Sequence, residues 1–114
     1  YMATIQGTTP TITFNLPFDV STIQNLEVYF AQNDELLVTK GYNDCVLSGT
    51  TLSVTLKQKD TLRLDDEEKL QMQVRFRFTD GSVDATKIIK GKIEDLLADT
   101  VLSAERSPAD TEVE

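Results

Sequence analysis

Ten consecutive residues most constrain what this chain can fold into: Leu70, Met72, Val74, Phe76 and Phe78 alternate without a break against Gln71, Gln73, Arg75, Arg77 and Thr79. A strand points successive side chains to opposite faces, so this run makes one oily face and one wet face. Asp80-Gly81 follows at once, a dipeptide that turns hairpins because both positions tolerate left-handed backbone. With those two residues as the loop, Phe78 faces Val83, Phe76 faces Ala85 and Met72 faces Ile89, and Arg77 lies opposite Asp84 on the outer face. Lys87 would then fall inward opposite Val74. Either a bulge shifts the strand near Thr86, or Lys87 sits at the sheet margin with its stem packed and its amine in water.

Six further runs, counting the return strand of that hairpin, carry the same period and are separated by Gly, Asn, Asp or Pro. Thr11 to Leu16 puts Ile12, Phe14 and Leu16 on one face and stops at Pro17. Leu26 to Gln32 turns Leu26, Val28 and Phe30 inward, and Asn33-Asp34 leads into Glu35 to Lys40, whose Leu36-Leu37-Val38 does not alternate. Cys45 to Ser48 and Thr51 to Lys57 read as a hairpin around Gly49-Thr50, with Ser48 facing Thr51, Leu47 facing Leu52 and Cys45 facing Val54. Between the hairpins, Gln58 to Lys69 suits a helical turn crossing from one sheet to the other, with Asp60 capping it and Leu62 or Leu64 plugging the core. The pattern predicts an all-β chain: an antiparallel β-sandwich of about seven strands, immunoglobulin-like in architecture, with a jelly-roll-like topology as the alternative.

At 114 residues the chain suits a single core, here residues 10–93, preceded by an arm of residues 1–9 and followed by an acidic tail of residues 94–114. Tyr1 precedes Met2, the expected initiator, and is given no role. The net charge of −8 is mostly a tail property: residues 94–114 hold seven acids against Arg106. Within the tail Ile93, Leu96, Leu97 and Val101 recur at helical spacing, which predicts a short helix over 93–102 and disorder after Ser103. That apolar stripe must be covered, by the chain's own sandwich or by a neighbouring subunit; these four residues are the candidate subunit interface, and a homo-oligomer is expected.

The charge argues against nucleic acid and anionic membranes as partners. No transmembrane run and no signal peptide is read in the sequence, so the expected location is the cytoplasm, or a particle assembled there. There is no His, no Trp and one Cys, which removes disulfide frameworks, His- and Cys-based metal sites and the usual triads. No cofactor, metal site or catalytic residue is assigned. Asp65 to Glu68 lacks the alternating spacing of a calcium loop; Asp19, Asp44 or Asp60 could in principle pair across a cleft as a hydrolase needs, but spacing does not show it, and seven strands leave little chain to build a cleft. Cys45 has no base to activate it and reads as a small inward thiol. The outer polar row with Arg75 and Arg77, together with Tyr29 and Tyr42, is the candidate ligand or partner surface. It would serve a protein partner or, through the tyrosine rings, a sugar.

The runs Thr9 to Asp19, Tyr29-Phe30-Ala31-Gln32-Asn33, Asp44-Cys45, Ser53 to Gln58 and Thr79-Asp80-Gly81 resemble small uncharacterised proteins of phages and prophages of gut Firmicutes. The resemblance spans most of residues 8–100 and rests on strand and turn residues. Those proteins look like virion or tail-associated β-sandwich modules, loosely similar to the N-terminal domains of baseplate upper proteins. The resemblance implies a non-enzymatic structural or adaptor protein, located in the virion or in the host cytoplasm before assembly, with other virion or tail proteins as partners. It carries over no functional residues.

Overall fold

A computed structural model describes residues 9–65, 67–96 and 101–103. The alternation seen in the sequence becomes two sheets that share one core, antiparallel in every pairing but that of the first strand with the last, an all-β sandwich. Among the described residues there are nine strands: β1 (Thr11–Asn15), β2 (Ile23–Gln32), β3 (Glu35–Gly41), β4 (Cys45–Ser48), β5 (Thr51–Thr55), β6 (Lys69–Phe78), β7 (Val83–Ala85), β8 (Ile89–Lys92) and β9 (Val101–Ser103). Two α-helical turns, α1 (Gln58–Thr61) and α2 (Ile93–Leu96), and two 3₁₀ turns, Val20–Thr22 and Tyr42–Asp44, lie between them. One sheet has the order β4-β5-β1-β9, and the other runs β3-β2-β6, with β7 and β8 both pairing with β6.

The inward residues are those the period selects. Ile12, Phe14, Val28, Phe30, Leu52, Val54, Leu70, Met72 and Val74 are all essentially inaccessible to solvent. Phe18 closes one end of this core, with its ring edge-on to Phe76 at 5.0 Å and to Phe78 at 5.1 Å. The β4–β5 hairpin has the predicted register, Ser48 opposite Thr51 and Cys45 opposite Val54, and Gly49 carries φ +59°. The β2–β3 loop is Asn33-Asp34, both left-handed at φ 53° and 64°, as a two-residue hairpin turn requires. The run without alternation in β3 is explained by an irregularity: Phe30 pairs with Val38 but Ala31 pairs with Leu36, so Leu37 is the extra residue of a bulge.

The hairpin after β6 departs from the sequence reading by one residue. Arg77 lies opposite Val83 and Phe76 opposite Asp84, so the expected Arg77–Asp84 and Phe78–Val83 pairs do not form. The cause is loop chemistry. The Gly81 N–H donates to the Phe78 carbonyl at 2.9 Å with Gly81 at φ +91°, and the Phe78 N–H donates to the Ser82 carbonyl at 2.8 Å, making Thr79-Asp80-Gly81 a three-residue loop. Asp80 fixes it by accepting from the Ser82 N–H and hydroxyl at 2.8 and 2.6 Å. A bulge near Thr86, the first of the two readings of Lys87, then restores the register, so that Met72 does face Ile89 and Lys87 is exposed. It also divides the expected seventh strand into β7 and β8.

The crossing segment is a single helical turn, as expected. Asp60 accepts from the Lys57 N–H at 2.9 Å, Leu64 plugs the core at 1% exposure, and Leu62 faces solvent. The predicted 93–102 helix is corrected. Among the described residues of this stretch Ile93–Leu96 is helical, and Val101–Ser103 is a strand running parallel to β1, with Thr13 opposite Val101 and Asn15 opposite Ser103. Helical spacing was satisfied by side chains that serve two different elements, and the open side of β1 captured the second of them. Ile93 (1% exposed) and Leu96 (9%) are turned into the chain's own core, and Val101 is exposed on β9. Leu97, the remaining residue of the stripe, lies outside the described residues, as does the segment after Ser103.

Candidate functional site

The outward row of β6 and its neighbours on β2 form the most distinctive surface. Register sets Asn25 opposite Arg77, Glu27 opposite Arg75, Tyr29 opposite Gln73 and Ala31 opposite Gln71. The first two pairs, with Tyr29, floor an open groove of about 600 Å³, walled on one side by β7 with Val83. A smaller depression of about 160 Å³ continues it past Tyr29 to Gln71 and Ile88. Val83 (69% exposed) and Ile88 (58%) leave apolar side chains at its margin. The sequence register aims Val83 inward, opposite Phe78; the one-residue shift at the Gly81 loop sets it opposite Arg77 and turns it out.

Of the predicted surface residues, the structure brings Tyr29, Arg75 and Arg77 to one groove. Tyr42 sits apart, half-exposed on the 3₁₀ turn Tyr42–Asp44 after β3. The charges within the groove are arranged unevenly. Glu27 faces Arg75 across the strands, yet its carboxylate accepts the Tyr29 hydroxyl. That bond, with burial and the negative charge adding to it, holds the Tyr29 phenol above its ordinary value of 10.0. The Asp84 carboxylate accepts the Ala85 N–H at 2.8 Å. Arg75 and Arg77 are exposed, and neither guanidinium has a hydrogen bond or ion pair among the described residues.

Other chemistry-bearing residues are held by local bonds. Asp19 accepts the Ser21 N–H at 2.8 Å, and that backbone bond, with the Ser21 hydroxyl, keeps its carboxyl below the ordinary value. Asp44 accepts the Gly41 N–H at 3.0 Å. Asp60 is within 2.5 Å of the Lys40 Nζ, both nearly buried. The Cys45 thiol, half-buried, donates to the Gly41 carbonyl at 3.4 Å, and burial, then the nearby Asp44 charge, pushes it up to about 11. Within the acidic corner the described bonds are structural: buried Gln32 donates to the carbonyls of Asp65 and Glu68 at 2.7 and 3.2 Å and accepts the Asp65 N–H at 2.8 Å. No group of three metal-ligating side chains occurs among the described residues, and no described helix is long and apolar enough to cross a membrane.

Comparison with protein-family models, with curated proteins and with solved structures finds no match to this chain.

Proposed function

We propose that the chain is a structural or adaptor module of a phage or prophage particle, associated with its tail or baseplate and acting through protein–protein contacts. The observation that supports the contact role is the outer face of the β2–β6 sheet. Tyr and Arg are the residue types most enriched at protein interfaces, and here Tyr29, Arg75 and Arg77 share one groove bordered by exposed Val83 and Ile88. The groove is open along a sheet, whereas small-molecule sites enclose most of their ligand, so a macromolecular partner suits it better. The assignment to a particle is supported by the resemblance of residues 8–100 to phage proteins.

The test is binding of the full chain to each structural protein encoded beside it, alongside a glycan array. The expected result is saturable binding to one of those proteins that Tyr29→Ser with Val83→Ser abolishes. A chain that binds none of them and retains a glycan through Tyr29 overturns the reading.

A further inference from the structure

The geometry points to a second copy of this chain as the occupant of the groove: we propose that two molecules stack the outer faces of their β3-β2-β6 sheets about a two-fold axis that runs along the strands, between β2 and β6. This occupant rests on reading the face as a protein-contact surface, and it names the partner.

The face is divided lengthwise by charge. On the β2 side stand Glu27 and, at the β2–β3 turn, Asp34, whose carboxylate accepts the Gln71 amide at 3.3 Å. On the other side β6 carries Lys69, Arg75 and Arg77, and β8 adds Lys90, opposite Gln71, and Lys92, opposite Lys69. All five cations are exposed. Asp84 borders the groove but pairs with the inward Phe76. Lys69 and Lys92 are like charges directly opposed on adjacent strands, which costs stability until an anion stands over them.

A two-fold axis parallel to the strands keeps each residue's height and exchanges left for right. Each β2 residue therefore comes to lie over its own cross-strand neighbour in the other molecule, and the β2–β6 register doubles as the contact map between copies. Glu27 of one molecule stands over Arg75 of the other, and the reciprocal pair closes a ring of four alternating charges. The Tyr29 hydroxyl, bonded to Glu27, holds that carboxylate in place. Asp34 lands over the opposed Lys69 and Lys92. The same exchange brings Leu36, 53% exposed on β3 opposite Ala31, toward Ile88, 58% exposed on the other margin. Charges and apolar side chains thus match under one operation, as an isologous contact requires. Four strands wide and, along β2 and β6, ten residues long, the face offers roughly 600 Å² a side, about 1,200 Å² in all, the lower limit of a specific interface.

Sedimentation equilibrium of the full chain at concentrations up to about 1 mM should show monomer and dimer. Glu27→Arg and Arg75→Glu should each raise the dissociation constant at least about tenfold, because each sets like charges over one another. Mixed in equal amounts, the two variants should recover the dimer as a heterodimer, in which every Arg again faces a Glu. Ile88→Ser, which alters no charge, should weaken the dimer as well, and far-ultraviolet circular dichroism should be unchanged in all three. A monomer at every concentration overturns the inference, and so do charge variants that stay dimeric or a mixture that stays monomeric. A monomeric chain that binds a separate structural protein, and loses it on Tyr29→Ser with Val83→Ser, gives the face to that protein: the second copy is then refuted while the contact reading stands.

Discussion

Lys40 shows how a single residue can break the inside-out rule and be held to it. It occupies an inward position of β3, opposite Val28, with a side chain 8% exposed, and a lone buried ammonium there would be untenable. Asp60, on the crossing turn α1, answers it at 2.5 Å and also takes the Lys57 N–H. Burial alone would raise the Asp60 carboxyl, but the hydrogen bonds from Lys40 and the Lys57 N–H outweigh it and hold the group below its ordinary value of 3.8. Removing one partner strands the other, so Asp60→Ala should cost about 3–5 kcal/mol in urea unfolding. Lys40→Met with Asp60→Leu should recover all but about 1 kcal/mol, the residue being the lost cap. The sign with pH follows from a folded value lower than the unfolded one. The pair's contribution is complete above the unfolded value of 3.8 and is lost as the pH falls through the lower folded value. The urea midpoint of the double variant should therefore fall less between neutral pH and pH near 3 than that of the unaltered chain; an equal fall would mean that Asp60 carries none of the acid sensitivity.

At the scale of elements, the β6 hairpin shows what bulging costs and how it is repaired. The extra residue at Thr86 interrupts the ladder where β7 hands over to β8. Thr86 repairs it with its own side chain: its N–H donates to the Val74 carbonyl at 2.9 Å, and its hydroxyl accepts the Val74 N–H at 3.1 Å. Its carbonyl takes the Gln73 amide at 2.9 Å. Thr86→Val keeps the shape and removes the acceptor, leaving a buried N–H unpaired. A loss of about 1–3 kcal/mol is expected, with the Val74 amide exchanging faster than its neighbours on β6; unchanged exchange at Val74 would refute the repair. The sequence made the bulge legible because Lys87 fell on the wrong face, and it made the β4–β5 register legible because Gly49 and the alternation agreed. It hid the loop length at Gly81, which is decided by which carbonyl the Gly81 N–H reaches. It hid Gln32 and Thr86 as well, since both are polar residues whose burial depends on partners far along the chain. Of the candidate site, Tyr29, Arg75 and Arg77 were visible from alternation alone; Val83 was not, because its outward aim follows from the length of the Gly81 loop.

For the molecule as a whole, the question is how two sheets are closed where β8 leaves one and β9 joins the other. The short α2 sits at that crossing, and its two inward residues are core residues: Ile93 is 1% exposed and Leu96 9%. Leu96 packs over Gly91, where a Cβ would stand 3.5 Å from its Cγ, at ordinary van der Waals contact. Leu102 on β9 adds to the same cluster. An apolar stripe that binds a neighbouring subunit and one that seals its own sandwich look the same in sequence, but they respond differently to truncation. If Ile93 met a second subunit, shortening it would weaken association and leave the isolated fold nearly as stable as before. Because it is packed inside, Ile93→Ala should instead lower the unfolding free energy by about 2–5 kcal/mol, the lost transfer energy plus the cavity left between the sheets. The solution mass by light scattering should be unchanged at concentrations where the variant remains folded. A variant with native stability and a reduced mass would show that the stripe seals an interface between molecules, and would move the closing contact of the sandwich elsewhere.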